Sequence, residues 1–213
     1  MAFGRSEFAS ELKALGINVS RETLQRLETY AGLLVKWQAK INLVGPATLP
    51  DLWRRHFLDS AQLLPLLPAA IGTLADLGSG AGFPGLVLAI MTDWRVHLLD
   101  SDQRKCAFLR QVALDCGVVD RVTIHPERIE QVPGIVVADV VTARACAPLG
   151  ELLELAEPFI GEKGTGVFLK GAQAEEELTQ AQRRWTMRLD RRDSISDPAG
   201  KLLIVSQLKR KSQ

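Results

Sequence analysis

One stretch of this sequence has the composition of a ligand-binding loop: Asp76-Leu77-Gly78-Ser79-Gly80-Ala81-Gly82-Phe83-Pro84-Gly85. Glycines permit positive φ and let a ligand approach the backbone closely. The proline suits the first turn of a following helix, whose unpaired N–H groups and positive dipole end favour polar and anionic ligands. Twenty positions after Gly80, at the end of the next apolar run, stands Asp100. A carboxylate at the end of a second strand can accept both hydroxyls of a ribose. Glycine loop and acid together describe a nucleoside site.

Two nucleoside cofactors compete for it. The run Gly80-Ala81-Gly82-Phe83-Pro84-Gly85 satisfies the dinucleotide spacing G-x-G-x-x-G. Three features favour S-adenosylmethionine. Asp76, two positions before the first glycine, can face a cationic methionyl group. The same carboxylate would repel a pyrophosphate. Only one strand–loop–helix unit carries such a loop, so a second nucleotide half has no counterpart. The cofactor reading therefore takes in Asp76, Gly78, Gly80, Gly82, Phe83 and Asp100.

The target atom is bounded by absences. No Asn-Pro-Pro-Tyr or Asp-Pro-Pro-Tyr stretch occurs, which argues against amino-group methylation of adenine. No cysteine follows a proline, which argues against a covalent thiol adduct to a pyrimidine. Cys106, Cys116 and Cys146 are scattered and fit neither a disulfide framework nor a zinc site, so no metal is expected. They read as reduced thiols of a cytoplasmic protein.

These residues need a scaffold. Apolar residues make up 46% of 213, enough for a full core in one α/β domain with forty to seventy residues to spare. No apolar run reaches the roughly 18 residues of a membrane helix, and Met1–Glu7 lacks a signal pattern. Residues 1–70 read as a helical extension packed on the core. Ser20 caps a helix with Leu24, Leu27, Ala31, Leu34, Trp37 and Ile41 at spacings of three and four. A second helix starts at Thr48 and runs to Pro65; His56 and Asp59, three apart on one face of it, can touch. From residue 71 to 213 short apolar runs alternate with helical stretches. Strands are predicted at Thr73–Leu77, Val96–Leu99, Val122–His125, Val136–Thr142, Gly166–Leu169 and Lys201–Gln207, the last returning antiparallel. Helices are predicted at Pro84–Met91, Gln103–Cys116, Pro148–Phe159 and Ala174–Arg184. That alternation implies a mainly parallel sheet covered on both faces.

Net charge is +1, but five arginines fall between Arg183 and Arg192, against the single acid Asp190. Arg183, Arg184 and Arg188 suit a phosphate-contacting surface, or else a solvated face. Arg144 ends an otherwise apolar strand, where α/β sheets hold ligands. Arg128 and Lys170 lie at neighbouring strand ends and can join it on an RNA phosphate or a target base.

Taken together, the motifs resemble one family. Besides the glycine loop, Leu99-Asp100-Ser101, Arg128-Ile129-Glu130, Asp139 to Arg144-Ala145 and Leu169-Lys170-Gly171 occur in its order. Asn42-Leu43 and Arg55-His56-Phe57-Leu58-Asp59-Ser60 resemble its N-terminal motifs. This is the glucose-inhibited division protein B family, the bacterial 16S rRNA (guanine-N7) methyltransferases G, and the match runs over about residues 24 to 207. The resemblance implies a Rossmann-like methyltransferase fold with a seven-stranded, mainly parallel sheet. It implies methylation of N7 of guanine 527 in the 530 loop of 16S rRNA, with the rRNA or the small ribosomal subunit as partner and a monomeric enzyme. Its cofactor contacts fall on Gly78, Phe83, Ile129, Glu130 and Arg144. Guanine N7 bears a lone pair and no proton, so Arg144 is expected to position reactants and no general base is expected. Two rivals stay open: a methyltransferase for a protein or small molecule, and a non-catalytic nucleoside-binding module that assists ribosome assembly.

Overall fold

A computed structural model describes residues 3–211. Two helices, α1 (Arg5–Ala14) and α2 (Arg21–Gln38), form an N-terminal layer. Ser20 caps α2, its Oγ accepting from Thr23 N at 2.9 Å. Leu27, Tyr30, Ala31 and Leu34 recur on one face and are buried.

The helix expected from Thr48 is broken. Residues Pro46–Asp51 form a 3-10 turn, Trp53–Leu58 a π-helical turn, Asp59–Ala61 a short α3, and Leu64–Leu66 another 3-10 turn. Pro50 and Pro65 each lack the N–H that a regular ladder needs. In a π turn the bonds run i→i+5, so residues three apart no longer stack as they do in an α-helix. Accordingly, no hydrogen bond joins His56 and Asp59. His56 bonds Thr48, and Asp59 bonds Gln62, Ser196 and Arg144.

Seven strands make one sheet in the order β3-β2-β1-β4-β5-β7-β6. These are β1 (Thr73–Leu77), β2 (Arg95–Leu99), β3 (Val122–His125), β4 (Ala138–Arg144), β5 (Ile160–Lys170), β6 (Trp185–Asp193) and β7 (Lys201–Arg210). The first five run parallel, β7 lies antiparallel to β5, and β6 lies antiparallel to β7. Helices α4 (Gly85–Met91), α5 (Gln103–Asp115), α6 (Leu149–Ala156) and α7 (Ala174–Ala181) connect them.

Alternate strand residues feed two cores. Leu74, Val96, Leu98, Val140 and Val167 join α4 and α5 on one face. Ala75, Leu77, Leu99, Val141, Ala143 and Phe168 join α6 and α7 on the other. Phe8, Leu12, Leu27, Tyr30 and Leu34 of the N-terminal layer belong to the first of these cores. Among the described residues no helix is long and apolar enough to cross a membrane.

Strand β6 occupies the arginine-bearing segment for which no strand is predicted. It is an edge strand with one neighbour, so only Trp185, Met187 and Leu189 turn inward, and charges occupy most other positions. Strand β5 begins at Ile160, six residues before its predicted start, because glycines and charges dilute its apolar pattern there.

Candidate functional site

The strand order reverses between β1 and β4, and there a doubly wound sheet opens a crevice at its carboxyl ends. A cavity of about 780 Å³ lies at that place, within the range of small-molecule sites. It is lined by Gly78, Ser79, Gly80, Ala81 and Phe83 of the β1–α4 loop, by Asp100 and Lys105, and by Arg144. It is also lined by Thr48, Arg55, His56 and Asp59, by Leu169 and Lys170, by Ser194, Ser196 and Asp197 of the β6–β7 connection, and by Lys201 at the start of β7.

Asp100 is held at the glycine loop. Its Oδ2 accepts from Gly80 N and its Oδ1 from Asp102 N, both at 2.8 Å. Gly80 has φ +57°, and a side chain there would meet only its own loop. A half-exposed carboxylate facing an open, bare backbone is the chemistry a ribose needs, so the residues present fit a nucleoside cofactor.

The other loop residues divide by orientation. A Cβ on Gly82 would fall 2.6 Å from Leu86, 2.7 Å from Tyr30 Oη and 3.0 Å from Leu109. That glycine is required by packing against Tyr30, α4 and α5, and it does not line the cavity. Phe83 is 3% exposed. Its ring stacks on Tyr30 and His56 at 5.2 and 5.0 Å, and the Arg144 guanidinium lies 5.1 Å from its centroid.

Asp76, expected to face a methionyl cation, is wholly buried behind the loop. It accepts from Thr142 Oγ1 at 2.8 Å and Gly85 N at 3.2 Å. Burial raises its pKa to about 6 against these hydrogen bonds. Both oxygens are engaged and, unlike Asp100, it does not line the cavity, so its geometry is that of a loop brace. Ile129 and Glu130 sit on the 3-10 turn after β3, on the same sheet edge as Asp100. Ile129 packs on the second core and Glu130 is exposed; neither lines the cavity.

Arg144 ends β4 and enters the cavity. Its Nη1 donates to the Arg55 carbonyl at 3.1 Å and lies 3.4 Å from Asp59 Oδ2. His56 Nε2 lies 2.7 Å from Thr48 Oγ1, whose own proton goes to the Gly45 carbonyl. His56 therefore carries its proton on Nε2. Burial, then Arg144 and Arg55, push its pKa down to about 3, so the ring is neutral.

The expected RNA cations are not gathered in one place. Lys170 lines the cavity, but its side chain is 8% exposed and bound to Glu177 at 2.6 Å and the Ala147 carbonyl at 2.8 Å. Its charge is spent inside. Arg128 is exposed beyond the cavity on the β3 side. Trp185 pairs with Arg210 and Asp193 with Lys201, so β6 ends at the cavity with Asp193. Eight residues of strand put Arg183 and Arg184 roughly 26 Å from that end, at the opposite edge of the sheet. Arg188 lies mid-strand. Sequence reasoning missed Arg55, Lys105 and Lys201, which do line the cavity. The motif around Arg55 was the available signal. Lys105 was legible as the third residue of a helix starting beside Asp100.

Known proteins resemble this chain over most of its length. A family model described as rRNA small subunit methyltransferase G matches residues 23–201. A ribosomal RNA small subunit methyltransferase G of Paramagnetospirillum magneticum is 56% identical over 192 residues, covering 90% of this chain and 92% of that protein. One of Rhodospirillum rubrum is 53% identical over 200 residues, covering 94% and 98%. Among solved structures, a putative S-adenosyl-L-methionine-dependent methyltransferase of Methanococcus maripaludis superposes with a TM-score of 0.59 at 14% identity, over 85% of this chain and 93% of that one.

Proposed function

The chain belongs to the rRNA small subunit methyltransferase G family, and on that premise we propose that it methylates N7 of guanine 527 in the 530 loop of 16S rRNA. It is an S-adenosylmethionine-dependent rRNA methyltransferase. The observation that carries the finer assignment is one cavity holding the Asp100-anchored glycine loop beside Arg144, with the pKa of the histidine that lines it pushed down to about 3.

Asp100 is assigned the ribose hydroxyls, and the Gly78–Gly80 backbone the methionyl side of the loop. Ile129 and Glu130 are assigned the adenine end, reached along the same edge. When bound, S-adenosylmethionine supplies an electrophilic sulfonium methyl, and guanine N7 is its proposed in-line acceptor. Guanine N7 carries no proton, so the chain's task is to align the base and to balance charge. Arg144 is assigned the positioning, held by Arg55, Asp59 and Phe83. Burial and the neighbouring Arg144 and Arg55 make His56 a weak base, with a pKa of about 3, and its free Nδ1 is buried, so it is not assigned the role of a base. Arg55, Lys105, Lys201 and, beyond the rim, Arg128 are assigned the RNA phosphates.

The test is methyl transfer to 16S rRNA and to small subunits, with the product base located by chemical cleavage at 7-methylguanine. Single-turnover rates should be nearly flat between about pH 7 and 9, because attack by N7 removes no proton. Burial pushes the Cys146 thiol at the loop up to about 11. His56 and Asp76 titrate below that window. A steep limb near neutrality, or methyl on an exocyclic amine, would withdraw the N7 assignment. Binding without transfer would leave an assembly factor instead.

A further inference from the structure

Three parts of the chain meet at one carboxylate that the reaction does not consume. Asp59 begins α3, directly after the π-helical turn. Its Oδ1 accepts from Gln62 Nε2 at 2.9 Å, from Ser194 Oγ at 3.5 Å and, in a short bond, from Ser196 Oγ. Its Oδ2 faces Arg144 Nη1. Gln62 in turn accepts from Ile195 N at 2.9 Å, and Arg55 pairs with Asp197 at 2.7 Å. The N-terminal segment thus clips the β6–β7 connection and, through the same residue, grips the arginine at the end of β4.

We infer that Asp59 is the positioning residue for Arg144: its carboxylate fixes the guanidinium over the cavity, and the β6–β7 connection fixes the carboxylate. A guanidinium on a flexible stem has several rotamers in a cavity this wide. Here one edge is bonded to the Arg55 carbonyl and to Asp59 while its carbon sits above the Phe83 ring. Asp59 and Arg144 side chains are 15% and 20% exposed, so water competes weakly for the pair. Asp59 has a full set of donors around it and no contact that suggests proton transfer. Its role is geometric, and it rests on the assignment of Arg144 as the positioning group.

The test uses the full chain and two readouts. The first is the 15N–1H spectrum of arginine side chains, with the Arg144 signals assigned by their loss in Arg144→Lys. Held guanidinium nitrogens should give separate, slowly rotating Nη signals in the wild type and averaged ones in Asp59→Asn. The second is single-turnover methyl transfer at saturating RNA and cofactor. Asp59→Asn should slow it about tenfold, as a misplaced reactant does. The double variant Asp59→Asn/Arg144→Ala should be no slower than Arg144→Ala alone, within about twofold, because the two residues act as one unit. Asp59→Glu should recover part of the rate. Should Asp59→Asn not fold, Ser196→Ala removes one tie on the carboxylate and should broaden the Arg144 signals and slow transfer about threefold. Additive losses in the double variant, or Arg144 signals unchanged by Asp59→Asn or Ser196→Ala, would overturn the inference. A wild type inert on 16S rRNA would refute the proposed reaction while the spectra still decided the role of Asp59.

Discussion

The two ends of this sheet both hold cations and use them differently. At the amino end of β6, Arg184 and Arg210 converge on Glu154 on the surface, and Arg183 is exposed. At the carboxyl ends of the parallel strands, Arg55, Lys105, Arg144, Lys170 and Lys201 come from five separate stretches of chain and line one cavity. The cluster that is dense in sequence is spread along an edge strand. The cluster that is dense in space is invisible as a run. Topology accounts for the difference: β4 and β5 deliver Arg144 and Lys170 at their carboxyl ends, α5 brings Lys105 in its first turn, β7 starts there with Lys201, and the N-terminal segment adds Arg55.

Removing Arg144, the central cation of the cavity, should have the largest effect. Arg144→Ala should lower single-turnover methyl transfer on the order of 100-fold at saturating cofactor and RNA. Arg184→Ala should leave that rate within about twofold, as surface ion pairs contribute little. A small loss at Arg144 would mean that the carboxyl edge is no more specialised than the other.

Next in size is the loop acid. Asp100→Ala should weaken S-adenosylmethionine binding by roughly 1–3 kcal/mol, the scale of missing charge-assisted hydrogen bonds, measured by calorimetric titration. Asp139 supplies the control. It opens β4 at the amino end, where its Oδ2 accepts from Thr73 N at 2.8 Å. Asp139→Asn should spare cofactor affinity, and comparable losses in both would undo the assignment of the ribose to Asp100.

A third effect concerns stability. Asp76 has an ordinary pKa of 3.8 and one of about 6 in the fold. Between those values the folded chain keeps a proton that the unfolded chain has released. Stability then falls as pH rises through that window, by up to about 1.4 kcal/mol per pH unit. His56 goes from 6.5 to about 3. There the unfolded chain binds the proton first, and stability falls as pH drops from 6.5 towards 3. The two slopes oppose each other between about pH 4 and 6. Asp76→Asn should therefore make acid unfolding steeper in that range, and His56→Gln should make it shallower, in denaturant titrations at several pH values. Parallel profiles for all three proteins would mean that neither group is perturbed by the site.

How much of this was legible follows from the same geometry. The strand–loop–helix around Gly78 and the acid Asp100 were readable because local spacing alone dictates them. The sheet's first five strands were readable from alternating apolar runs. What stayed hidden depends on partners distant in sequence. Gly82 is a packing glycine because Tyr30 lies against it, and Asp76 is a brace because Thr142 and Gly85 take its oxygens. Lys170 looks like a free cation until Glu177 is beside it. β6 hid because an edge strand buries only one thin stripe. The break after Thr48 was signalled by prolines, but the π-helical turn that separates His56 from Asp59 has no pattern in residue type.

The smallest expected effects bear directly on the two edges. For each phosphate that the protein no longer neutralises, the slope of log affinity against log salt falls by about one unit. Lys105→Glu and Arg128→Glu lie at the carboxyl edge, and among the described residues neither cation has an ion-pair partner. Each should reduce the salt slope of 16S rRNA binding by about one and weaken binding several-fold at about 100 mM salt. Their cofactor affinity should change little. Lys201 is already paired with Asp193, so Lys201→Glu trades an existing ion pair for repulsion and should cost some stability as well. Arg183→Glu, Arg184→Glu and Arg188→Glu lie about 16 to 26 Å along β6 from the cavity end. Combined, they should change affinity modestly through net charge but leave the slope within half a unit of wild type. A triple variant whose slope drops by two or three units would extend the RNA along β6. The amino edge would then be part of the interface, and the contrast between the two ends would rest on catalysis alone.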